Sequence, residues 1–98
     1  MAAYLVGIAK VTNPTEKFKK YAQKSAKFLA ECGGEYVVRS PAAEVVEGDV
    51  LNGRAAIVVK FPSMDQLKAF YHSDTYQKEI KPLREGAGIF DMGLFEGA

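Results

Sequence analysis

Val58-Val-Lys-Phe-Pro-Ser-Met-Asp-Gln-Leu-Lys-Ala-Phe-Tyr-His-Ser-Asp-Thr-Tyr76 is the stretch on which the fold turns. It opens as the apolar end of a strand and stops at Pro62, which cannot continue a ladder. Ser63 and Gln66 stand at capping-box spacing, so a helix is expected to begin there. Leu67, Phe70 and Tyr71 then fall on one helical face. Ser73 is placed to cap a further helical segment carrying Tyr76, Ile80 and Leu83, which Pro82 weakens near its end.

Upstream, Ala55 to Phe61 is apolar on both faces and reads as a strand. Asn52-Gly53 precedes it as a hairpin signal within a polar, turn-rich stretch from Gly48 to Gly53. Ala43 to Glu47 reads as strand or strand-like extension. Glu35 to Arg39 is a short strand, interrupted by Ser40-Pro41, with Arg39 expected on the face of Val37 and Glu35. Before it, Phe18, Tyr21, Ala22, Ser25, Phe28, Leu29 and Cys32 recur at helical spacing. Asn13 is the expected cap of that helix, with Pro14 at its first position, and Gly33-Gly34 is its stop. Tyr4 to Val11 is the first strand: Tyr4, Val6 and Ile8 on one face, Leu5, Ala9 and Val11 on the other. Ala87 to Phe95 is the last.

The order is strand, helix, strand, strand, helix, strand, the ferredoxin-like β-α-β-β-α-β pattern of an α+β domain with an antiparallel four-stranded sheet. One such domain is expected over residues 1–98. Two helices can cover only one face of that sheet. The strands are nevertheless apolar on both faces, whereas a solvated face alternates to polar. Covering a few hundred Å² of apolar surface is worth several kcal/mol at about 25 cal/mol per Å². A homodimer through the open sheet face, a dimeric α+β barrel, is therefore expected.

Bulk composition narrows the partners. Lys plus Arg number 13 against 12 Asp plus Glu, a net charge of +1. Neither nucleic acid nor an anionic membrane is an expected partner. The lysines of the first helix read as a solvated face, with no aromatic row between them. No apolar run approaches the length of a bilayer span, and the N-terminal residues carry no basic leader. Cys32 is the single cysteine, consistent with a reducing cytoplasm.

Several short pieces, in order, carry a resemblance over nearly the whole length. They are Ala3-Tyr4-Leu5, Gly33-Gly34 with Arg39, Val46-Glu47-Gly48, Phe61-Pro62-Ser63, and Phe70-Tyr71-His72-Ser73 with Tyr76. Together they resemble the domain-of-unknown-function family numbered 1330, in the dimeric α+β barrel superfamily. The family often has Trp where Phe70 stands and Pro where Asp74 stands, and other polar residues where His72 stands. The resemblance implies the fold and a dimer, and little chemistry. Superfamily relatives include cofactor-free monooxygenases, isomerases and haem-degrading enzymes. The haem-degrading pattern is poorly met, since the chain has no tryptophan and no evident asparagine–histidine pairing.

Few residues carry chemistry by type. His72, the only histidine, is the candidate general acid/base, set against an exposed residue at a helix end. Arg39 is the candidate for binding a carboxylate or phosphate, set against an ion pair with Glu44, Glu47 or Asp49. Tyr71 and Tyr76 are the pocket candidates among the tyrosines, ahead of Tyr4 and Tyr36. Ser63 and Ser73 are caps without a nucleophile setting. Cys32 lies at a helix C-terminus, where the dipole disfavours a thiolate. No metal-ligand spacing is present, and no metal or cofactor is expected.

The function expected is that of a small cytoplasmic homodimer binding or transforming a small organic metabolite, an acidic one included, in a pocket between helices and sheet. The alternative is a structural or regulatory dimer without a ligand. Whether the chain is an enzyme is left open by its residues. An occupied or open cavity where these residues meet separates the two readings, because a structural dimer should have that space packed shut.

Overall fold

A computed structural model describes residues 1–98. Four strands, β1 (Ala3–Val11), β2 (Glu35–Pro41), β3 (Ala55–Phe61) and β4 (Gly88–Glu96), form one antiparallel sheet in the order β2-β3-β1-β4. Two helices, α1 (Glu16–Glu31) and α2 (Met64–Tyr71), cross over between them. A π-helical turn (Thr75–Ile80) and a 3₁₀ turn (Lys81–Arg84) lead into β4. The molecule is a slab of 35 × 32 × 15 Å, thick enough for the sheet and one helical layer only. No helix is long and apolar enough to cross a membrane.

Register assigns each strand residue to a face. Leu5 stands opposite Val59 and Leu94, Gly7 opposite Ile57 and Met92, and Ala9 opposite Ala55 and Phe90. These rows lie under the helices. The other rows join Tyr4 with Lys60 and Phe95, and Val6 with Val58 and Gly93. They face away from both helices, and Phe95 and Ile89 are about half exposed, at 53% and 52%. The core centres on aromatic rings. Phe70 of α2 packs on Phe61 (centroids 5.3 Å apart), Phe28 (5.4 Å) and Tyr76 (5.2 Å). Gly34 is required beneath this cluster, since a Cβ there would come within 2.6 Å of the Phe61 ring.

Three local readings are corrected by the structure. The cap of α1 is Thr15 rather than Asn13: its Oγ1 accepts from the Phe18 N–H at 3.1 Å. The backbone N–H groups of Thr12 and Asn13 both donate to the Ala87 carbonyl, at 2.8 and 2.9 Å. That tether to the start of β4 holds Asn13 out of the helix and delays its entry by two residues. The expected extension over Ala43–Glu47 is irregular chain. β2 instead continues through Ser40 and Pro41, paired with Ala56 and Ala55, as an edge strand allows for proline.

The third correction concerns Arg39. A bulge between Tyr36 and Val38 inserts Val37 as an extra residue, so Arg39 pairs with Ile57 and shares the face of Tyr36, not that of Glu35 and Val37. The segment beyond Ser73 is helical as expected, a π turn followed by a 3₁₀ turn. Ser73 does cap it, accepting from the Tyr76 N–H at 3.1 Å while donating to the Phe70 carbonyl at 2.8 Å. Pro82, near the start of the 3₁₀ turn, ends the π winding. The Ser63 cap is as expected, accepting from the Gln66 N–H at 3.2 Å.

Candidate functional site

Helix α1 packs mainly on the π and 3₁₀ turns rather than flat on the sheet. Its N-terminal half, with Phe18, Tyr21, Ala22 and Ser25, therefore stands off from β1, β3 and β2. Between them lies a cavity of about 540 Å³, within the range that holds small organic ligands. The floor is apolar sheet, notably Leu5, Ile57, Val59 and Met92. Gly7 contributes to this shape. A Cβ at that position would meet the Met92 sulfur at 2.5 Å, so glycine lets Met92 lie flat across the strand.

The polar groups of the cavity are few and come from different elements. Arg39, at the edge strand, lays its guanidinium over the Tyr36 ring, 4.7 Å from the centroid. None of the ion pairs in the molecule involves it; these join Lys19 to Glu16, Arg54 to Asp91 and Lys78 to Asp74. Arg39 thus faces the cavity with its hydrogen-bonding fork unused. Burial pushes the Tyr36 phenol up from its ordinary value, Arg39 pulls the other way, and the Tyr21 hydroxyl adds to the rise.

Deeper in, the Tyr76 hydroxyl lies 2.9 Å from the Tyr21 hydroxyl. Nη1 of Arg84 donates to that same Tyr21 oxygen at 3.2 Å. Arg84 is sandwiched between rings, 5.6 Å from the centroid of Tyr21 and 4.8 Å from that of Phe90. Tyr76 is 3% exposed. Burial first, then the Tyr21 hydroxyl, push its phenol far above the ordinary range, so it is a neutral hydroxyl at any physiological pH. Burial lowers the Arg84 guanidinium, but the Tyr21 and Tyr76 hydroxyls outweigh that and leave it above its ordinary value.

Of the four residues singled out in the sequence, Arg39 and Tyr76 line this cavity together, whereas Tyr71 and His72 are not among its lining residues. Tyr71 packs against Tyr76 from behind (5.1 Å) with Lys81 over its other side at 5.9 Å. His72 is the exposed C-cap of α2, set edge-on to Tyr71 at 5.5 Å. Its backbone N–H donates to the Lys68 carbonyl at 2.9 Å, and its ring makes no hydrogen bond to the rest of the chain. No group of three His, Cys, Asp or Glu residues is placed to hold a metal ion. Cys32 caps α1; burial, then the neighbouring Glu31 carboxylate, push its thiol up.

Tyr21, Tyr36, Ser25, Ser40 and Arg54 also line the cavity, with Arg84 behind Tyr21. Tyr36 was a lesser pocket candidate in the sequence, whereas Tyr21 and Arg84 were not marked as site residues. Tyr21 sits on the apolar stripe of α1 like any core aromatic. Arg84 lies 63 residues away along the chain, and no local spacing joins them.

The antiparallel β2-β3-β1-β4 sheet with both crossover helices on one face is a ferredoxin-like α+β fold. The chain belongs to the family described as domain of unknown function DUF1330, whose profile matches residues 2–98. Among solved structures it is similar to RPA0582, a protein of unknown function from Rhodopseudomonas palustris. The identity is 12% and the TM-score 0.72, over 99% of this chain and 82% of that one. It is also similar to SnoaB, a cofactor-independent oxygenase from Streptomyces nogalater, at 15% identity and a TM-score of 0.65, over 99% of this chain and 93% of that one. Comparison with curated proteins gives no match.

Proposed function

We propose that this chain binds a small, largely apolar organic molecule bearing an anionic group, in the cavity under α1, and that it does so as a homodimer. The observation carrying the proposal is the 540 Å³ apolar cavity with Arg39 on its lining and no carboxylate on Arg39. A guanidinium held flat by an aromatic ring is preorganised for bidentate contact with a carboxylate. The open cavity favours this reading over a purely structural dimer, whose interior would be packed to native density. SnoaB, a protein of the same fold, is a cofactor-independent oxygenase, which supports small-molecule chemistry as a use of such a cavity.

The dimer rests on the other face. Tyr4, Val6, Ile8, Val58, Ile89 and Phe95 form an apolar surface with no helix over it. Only 12 of 98 residues are buried in the single chain, a small core that a second sheet would enlarge.

The binding test is a calorimetric titration with 1-naphthoate and its neutral counterpart 1-naphthamide. The expected result is tighter binding of naphthoate by about tenfold, reduced to near equality in Arg39→Ala. Absence of binding, or a preference indifferent to Arg39, contradicts the reading.

A further inference from the structure

We infer that Tyr21 presents a donor-only hydroxyl to the ligand in this cavity, so that the molecule bound there carries a carbonyl, enolate or phenolate oxygen facing α1. The inference rests on the cavity being a ligand site, and it adds the chemistry of the ligand's second polar end.

The argument follows the protons. Three groups meet at the Tyr21 oxygen: Arg84, Tyr76 and the proton of Tyr21 itself. Arg84 can only donate, and does so at 3.2 Å. Between Tyr21 and Tyr76 the distance of 2.9 Å allows either direction. The surroundings decide it. Tyr76 is buried against the rings of Phe70 and Tyr71, and its hydroxyl has no hydrogen-bond partner besides Tyr21. If Tyr21 donated to Tyr76, the proton without a partner in the chain would sit on the more buried of the two hydroxyls, since Tyr76 is 3% exposed whereas Tyr21 is only half-buried, the costlier way to leave a polar group. If Tyr76 donates, every buried proton is placed. The Tyr21 oxygen then accepts twice, from Arg84 and Tyr76, and both its lone pairs are used.

What is left at Tyr21 is its own O–H. With two donors behind it, the hydroxyl cannot accept a further hydrogen bond and can only give one. It belongs to a cavity-lining residue on the half of α1 that stands off the sheet. The two bonds it accepts polarise it in the same sense, strengthening its donation. Arg84 reinforces this with charge. It is partly buried, has no carboxylate partner and sits directly behind the Tyr21 ring. An oxygen with negative character at that end of the cavity is thus favoured both by a fixed donor and by an uncompensated cation. Arg39, on the edge strand, supplies the other anchor. The ligand class is an apolar, ring-sized acid with a second, acceptor-only oxygen.

The test compares two probes of one shape, anthraquinone-2-carboxylate and anthracene-2-carboxylate, which differ in the ring carbonyls. Affinities are measured by calorimetry for the wild type, Tyr21→Phe and Tyr76→Phe. The wild type is expected to prefer the quinone acid about five- to tenfold, the scale of one good hydrogen bond. Tyr21→Phe is expected to erase that preference while holding anthracene-2-carboxylate within about twofold of wild type. Tyr76→Phe, which removes a donor to Tyr21 but not the Tyr21 proton, is expected to keep most of the preference. Should Tyr21→Phe fail to fold, the Tyr76→Phe result still decides, since a preference lost in Tyr76→Phe overturns the proton assignment. Binding of both acids without preference, or a preference that survives Tyr21→Phe, overturns this inference and leaves the cavity as a ligand site. Failure of both acids to bind overturns the two together.

Discussion

Arg39 and His72 are the two residues whose chemical type most invites a functional reading, and their surroundings separate them. Both are exposed, but Arg39 lines the cavity with no carboxylate paired to it, whereas His72 caps a helix away from it. His72→Ala is accordingly expected to leave naphthoate affinity within about twofold of wild type, while Arg39→Ala weakens it about tenfold; the same titration checks both. Arg39 could be singled out from its type and from its distance to Gly33-Gly34. Its direction could not, because a single-residue bulge reverses strand phase and no residue between Tyr36 and Val38 announces one. Tyr76 gives a prediction of another kind. Its phenol is raised in the folded chain, chiefly by burial, so the unfolded chain loses this proton first. The stabilisation is complete below the ordinary phenol value of about 10 and falls as pH rises above it. Urea melts between pH 9 and 11 should show a loss of stability that is smaller in Tyr76→Phe.

Helix starts show where local reading succeeds. Ser63 caps α2 as its spacing to Gln66 requires, because the signal is contained in four residues. The start of α1 differs because Thr12 and Asn13 are held by Ala87, a residue far along the chain. Thr15→Ala is therefore expected to lower stability by about 1 kcal/mol and Asn13→Ala by much less, as read from urea midpoints at constant m-value. The reverse ranking would return the cap to Asn13. Beneath α2, Gly34→Ala forces a Cβ against the Phe61 ring and is expected to destabilise the chain by about 1–3 kcal/mol, the range for overpacking. The π turn after Ser73 was hidden from the sequence. Its apolar residues Tyr76 and Ile80 are four apart, which suits a regular helix equally well.

The order of elements for the whole molecule was legible because short apolar runs bounded by turn and cap signals alternate with helical spacing from Tyr4 to Phe95. The cavity was not, since it arises from α1 leaning on the π and 3₁₀ turns and standing off the sheet, a matter of tertiary packing. The apolar rows facing away from the helices lead to the assembly. Sedimentation at micromolar concentration should give a dimer, and Val58→Lys, at the centre of that face opposite Val6, should shift the mass toward monomer. A wild-type monomer throughout that range would contradict the dimer without touching the cavity. The cavity itself is tested most directly by mapping the backbone amide shifts of ¹⁵N-labelled protein during titration with 1-naphthoate. Saturable changes gathered at Tyr21, Ala22, Tyr36, Arg39 and Tyr76 are the predicted result. No changes, or changes gathered instead around Val6, Ile8 and Val58 on the open sheet face, would contradict it.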